Sequence, residues 1–167
     1  SGIFENDFGD LKYRRGDYIV VPRGTTFKWK PSGDEQNYLV IESFSEIELP
    51  EKGLLGPHAL FDPAVISYPE VKKSVEEKES ILHIKRMDEV TKVTYPFSPI
   101  DAIGWKGDLS VVSINMDDIR PITSHRYHLP PSVHTTWLGS GFVICSFLPR
   151  PFESDPKAQR IPFYHRN

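Results

Sequence analysis

Fifteen of the 167 residues are proline, against an average share of about 5% in ordinary proteins. Proline has no backbone donor, so it neither continues a helix nor sits in a central strand. The prolines are spread along the whole chain. Long helices and long uninterrupted strands are therefore excluded, and short elements joined by rigid turns are expected.

Between those turns the dominant period is two. In TTFKWKP, Phe27 and Trp29 share one face, with Lys28 and Lys30 on the other. GDYIVVPRG reads as a strand closed by Pro22 and Gly24. NYLVIESF is rich in aromatic and branched residues and is expected as a mostly buried strand. ILHIKRM and VTKVTYPF flank Asp88-Glu89 as a hairpin. LSVVSIN, ITSHRYH, VHTTWL and GFVICSFL continue the pattern, and IPFYH starts a further strand. The charged run PEVKKSVEEKES reads as a solvated connector, or else a short surface helix. Many short strands without a strong amphipathic helix predict an all-β sandwich or barrel.

The length suits one compact domain, and with 38% hydrophobic residues a core can form. A net charge of −3 offers no basic face, so nucleic acid is not an expected partner. Cys145 is the lone cysteine, which excludes an internal disulfide and fits a reducing compartment. Its neighbours in GFVICSF give it the look of a small core hydrophobe. Neither a signal peptide nor an apolar run long enough to span a bilayer is visible, so no membrane partner and a cytoplasmic location are expected.

The candidate chemistry lies with histidine. Three of the six histidines fall in TSHRYHLPPSVHTTW. His125 and His128 are three apart, so one strand would point them to opposite faces, and Pro130-Pro131 interrupts before His134. A metal centre built locally from all three is not expected. Phosphate loop, paired CxxC and GxSxG elbow are all missing.

One stretch says more. Gly16 to Phe27, GDYIVVPRGTTF, resembles the second sequence motif of the cupin superfamily, in which a metal-binding histidine usually closes the pattern. Phe27 stands there instead. That half would have lost its metal ligand, with Phe27 filling the interior. ELPEKGLLGPHALFDPAVISYPE, SPIDAIGWKGDLSVVSINMDDI and the terminal PFYHRN are similar, in order, to segments of the homogentisate 1,2-dioxygenase family. The most specific pieces are Ser98 to Gly107 and YHRN.

The resemblance implies an all-β, cupin-like double-stranded β-helix or jelly-roll fold. Residues 1–69 would be the C-terminal part of a metal-less cupin barrel with a covering loop. Residues 70–95 would be a charged connector and hairpin, and 96–167 the N-terminal part of the catalytic cupin half. It implies a non-haem Fe(II) enzyme that opens the ring of homogentisate with O2 to give maleylacetoacetate, in tyrosine and phenylalanine breakdown. It also implies a homo-oligomer. His165 of YHRN would bind iron as one of two histidines and one carboxylate, an arrangement that leaves positions for a chelating substrate and O2. The other two ligands would fall beyond Asn167, so the chain resembles an internal piece of a longer dioxygenase. Alone it would be inactive and hold iron weakly. His128, in HLPPSV, would serve as acid and base toward the ring. Phe163 and Tyr164 would line the substrate pocket; the family often has two tyrosines here, and Phe163 removes one hydroxyl. His125 and His134 are read as surface or supporting residues, and His58 has no role. The alternatives are a cupin dioxygenase for gentisate or another hydroxylated aromatic acid, and a non-catalytic cupin-type domain for binding or assembly.

Overall fold

The computed structural model describes residues 1–50, 59–60, 62–71, 78–101, 103–105, 107, 109–121 and 134–148. The chain forms two compact units. The first gathers Ser1–Arg15, Ile19–Asn37 and Ser67–Ser113; the second gathers Gly16–Tyr18, Tyr38–Ile66 and the chain from Ile114 onward. Among the described residues every regular element is a strand or a single 3-10 turn, as the spread of prolines requires. No helix is long and apolar enough to cross a membrane among them.

The first unit is built on a three-stranded antiparallel sheet in which β1 (Gly2–Asn6) lies between β2 (Gly9–Tyr13) and β4 (Phe27–Pro31). Phe4 pairs with Leu11 on one side and Trp29 on the other, so the three side chains stand on the same face. That face is the core: Phe4, Leu11, Tyr13 and Val111 are buried, with Phe8, Ile19, Val21 and Trp29 packed against them. The Trp29 ring lies 4.6 Å from Phe4 and meets Tyr13 edge-on at 5.0 Å, a favoured geometry for aromatic pairs. On the opposite face Lys30 reaches Glu5 at 2.6 Å.

Asn6 fixes the β1–β2 turn by accepting from the Phe8 amide at 2.9 Å. Asp10 then bridges Glu70 through two 2.8 Å backbone bonds. Gly9, at φ +123°, sits against the Glu70 carbonyl, where a Cβ would collide; only glycine meets both demands.

β6 (Ser80–Arg86) and β7 (Glu89–Tyr95) form the hairpin expected from the sequence, with seven residue pairs. The turn residues are Met87 and Asp88 rather than Asp88 and Glu89. Both have positive φ, +47° and +65°, which matches the right-handed twist of the flanking strands.

In the second unit β10 (Thr135–Gly139) pairs with β11 (Phe142–Cys145), and β5 (Ala59–Leu60) pairs with β9 (Arg120–Pro121). β3 (Asp17–Val20) pairs with β8 (Val112–Asn115), and each of these two strands has residues in both units. 3-10 turns occupy Pro63–Val65 and Met116–Asp118, capped by the side chains of Asp62 and Asn115. One expectation fails here. NYLVIESF is no strand: residues 38–43 are irregular, and Leu39 and Phe44 are 89% and 95% exposed. Apolar and branched composition favours a strand only where a pleated neighbour receives it, and among the described residues no strand pairs with this stretch.

Truncating Phe4 to alanine should cost about 3–5 kcal/mol, read as a lower urea midpoint with an unchanged slope. Met87→Gly should raise stability by about 0.5–1 kcal/mol, because a non-glycine residue in the left-handed region is strained. The same titration checks it.

Candidate functional site

The cupin-like motif comes first. Its glycine, Gly24, has φ +82° and stands third in the turn Pro22–Thr25, closed by the Thr25 amide on the Pro22 carbonyl at 3.3 Å. This is the position that demands glycine in a type II turn. The turn delivers Phe27 to the start of β4, where a metal-binding histidine would stand in the motif. Phe27 carries no donor, and its ring lies 5.0 Å from Phe4. It does not fill the interior as expected, being 47% exposed. It pairs with Asn6 at the end of the sheet, and the core positions further in are already taken by Phe4 and Trp29. Among the described residues no group of three His, Cys, Asp or Glu side chains could hold a metal ion.

The other concentration of polar groups lies in the second unit. His134, Thr135, Thr136 and Trp137 are consecutive and all buried, so this end of β10 is covered on both faces. The register between β10 and β11 shifts between Thr135 and Trp137. Such a bulge re-aims the extra side chain. Thr136 is 0% exposed, and its hydroxyl meets the Ser146 hydroxyl at 2.5 Å. Ser146 in turn meets the Tyr18 hydroxyl at 2.8 Å. Three hydroxyls thus form a chain from β3 to β10, each able to donate and to accept. Beside it, Asn115 donates to Asp17 at 2.6 Å and accepts from the Asp117 amide at 2.9 Å.

Of the two sequence readings of His134, surface or supporting residue, the structure excludes the surface one. His134 is 1% exposed, its ring lies 5.2 Å from Phe147, and its carbonyl accepts the Ser146 amide at 3.0 Å. Pro130 and Pro131 suggest a break before it, but β10 begins at the very next residue and carries it inward. Cys145 is half-buried, less so than a core thiol, with its sulfur 3.9 Å from the Thr135 hydroxyl. The indole Nε1 of Trp137 finds no hydrogen-bond partner among the described residues.

His128, Phe163, Tyr164 and His165, the residues assigned to chemistry from the sequence, lie outside the described residues, as do His58 and His125. The described structure does fix both attachments of the segment bearing His128. It leaves after β9, which is paired to β5, and returns at the buried His134. Hydroxyls at this post can orient neighbours and relay a proton. They include neither an activated nucleophile nor a metal site.

A family model described as "Homogentisate 1,2-dioxygenase N-terminal" matches residues 3–115. The chain belongs to the homogentisate 1,2-dioxygenase family. Curated relatives extend the likeness across nearly the whole chain. A protein of Saccharolobus solfataricus, whose name assigns it provisionally to the dioxygenases, is 30% identical over 170 residues, covering 99% of this chain and 44% of its own length. The homogentisate 1,2-dioxygenase of Dictyostelium discoideum is 27% identical, covering 98% of this chain and 40% of that protein. That of Bradyrhizobium diazoefficiens is 25% identical, with 96% and 38% covered. The chain therefore spans less than half the length of these relatives. The all-β, cupin-like class read from the sequence is that of the homogentisate dioxygenase family, and the short antiparallel sheets agree with it.

The hydroxyl chain makes the prediction for this site. Thr136→Val should cost about 1–3 kcal/mol, since it leaves a buried hydroxyl short of a partner. Tyr18→Phe should cost about 0.5–1.5 kcal/mol, because the Ser146–Thr136 pair survives. Urea denaturation of the two single variants and the double should give non-additive losses; strict additivity would contradict a shared network.

Proposed function

We propose that the protein carrying this chain is an Fe(II)-dependent ring-cleaving dioxygenase that converts homogentisate and O2 to maleylacetoacetate, a cytoplasmic step of tyrosine and phenylalanine breakdown, and that it works as a homo-oligomer. The family match over residues 3–115 carries this reading, supported by relatives named homogentisate 1,2-dioxygenase.

The proposed iron ligand is His165, whose imidazole suits ferrous iron. The described residues contribute no ligand set of their own, and Phe27 holds no donor at the motif position. Iron, when bound, supplies a centre that chelates the aromatic substrate and takes up O2. The protein's part is positioning and proton transfer. His128 takes the phenolic proton from the substrate and later returns it. Phe163 and Tyr164 flank the ring. Tyr164 keeps a hydroxyl to hydrogen-bond a substrate oxygen, whereas Phe163 offers only an apolar face. That loss of one hydroxyl gives a second substrate, gentisate, a place in the test.

Oxygen uptake by the iron-loaded protein should be at least tenfold faster with homogentisate than with gentisate. His165→Ala should lose stoichiometric iron by metal analysis. His128→Gln should keep its iron and lose about 10²–10⁴ in kcat. Full iron content in His165→Ala, or faster turnover of gentisate, would overturn the assignment.

A further inference from the structure

A solvent-open thioether lies against the glycine just ahead of β3. Met116 is 36% exposed and opens the 3-10 turn that follows β8. Its amide donates to the Gly16 carbonyl at 2.9 Å. Its side chain turns back over the same residue. Gly16 has φ +87°, and a Cβ there would come within 2.9 Å of Met116 Cγ and 3.0 Å of Sδ. The space that a side chain would take at Gly16 is therefore filled by Met116. The side-chain nitrogen of Asn115 lies 3.5 Å from the same point.

Asn115 is 5% exposed and ties β8 to β3. Its amide donates to the Asp17 carboxylate at 2.6 Å, and its side-chain oxygen caps the Asp117 amide at 2.9 Å. β3 also carries Tyr18, whose hydroxyl begins the chain to Ser146 and Thr136. All of these contacts lie within the second unit.

We propose that Met116 is a reversible oxidation site whose sulfoxide releases the start of β3. A thioether is apolar and adaptable, whereas a sulfoxide is polar and chiral. Hydrogen peroxide supplies the oxygen. Its O–O bond breaks, an S–O bond forms, the sulfur loses two electrons, and water leaves as the reduced product. The sulfur then bears an oxygen in the space it shares with Gly16 and Asn115. Gly16 has no side chain that could yield, so the backbone of the turn must move. The new oxygen is also an acceptor, and it competes with Asp17 for the Asn115 amide. Oxidation at an exposed residue thus reaches a buried tie between two strands.

Hydrogen exchange read by mass spectrometry tests this on the purified protein that carries the chain, before and after treatment with hydrogen peroxide. Peptide mapping should find Met116 oxidised in the folded protein. The amides of residues 16–20 should then exchange about tenfold faster or more. Methionine sulfoxide reductases, one for each epimer, should restore the slow rate. Met116→Leu conserves volume and keeps every other methionine, so it should fold, and exchange at residues 16–20 should not respond to peroxide. Four results would each overturn the proposal. Met116 could stay reduced at a dose that oxidises it fully in urea, or its oxidation could leave exchange at residues 16–20 unchanged. The reductases could fail to reverse the change, or Met116→Leu could respond as the wild type does.

Discussion

The first unit depends on the pairing of β1 along both its edges. A strand held on two sides has its backbone groups satisfied, and only then can it lay Phe4 flat between Leu11 and Trp29. The aromatic contacts to Phe27, Trp29 and Tyr13, the close approach of Gly9 to Glu70, and the turn that delivers β4 all follow from that register. A slip of one residue would turn Phe4 and Trp29 outward and bring Glu5 and Lys30 inward. The Glu5–Lys30 pair on the far face, where Glu5 is itself buried, therefore supports the same register from the other side.

What could be read in the sequence was what local pattern decides. Proline spacing and period two located β3, β4, β6, β7, β8, β10 and β11, with ends off by as much as three residues at β8 and β11, because each pattern is confined to neighbouring positions. The strand expected at NYLVIESF failed because a strand is a relation between two segments. Its composition describes a half-buried pleat, and nothing within those eight residues says whether a neighbour arrives. Phe27 shows the same limit: the motif fixed its place in the chain, while its exposure depended on Asn6 and Phe4, some twenty residues earlier.

The hydroxyl chain was illegible for a stronger reason. Tyr18 and Ser146 are 128 residues apart, and threonine and serine give no periodic signal. The bulge that turns Thr136 inward is a register fault between two strands, not a property of either one. His134 could have been suspected, since VHTTW places it one residue before a run that ends in a buried tryptophan. The proline pair ahead of it argued the other way, and packing decided.

Buried hydroxyls and exposed lysines mark opposite solutions to one problem. At β10 the chain takes polar groups inside and satisfies them against each other, which fixes a single geometry where the His128 segment rejoins. At the β6–β7 hairpin it leaves strand edges outside and guards them with Lys85 and Lys92, since charge on an exposed edge discourages indiscriminate pairing. Asp88 of the turn lies 3.7 Å from Lys85 and answers part of that charge within the hairpin itself, so the guard does not leave a bare cation to attract acidic surfaces.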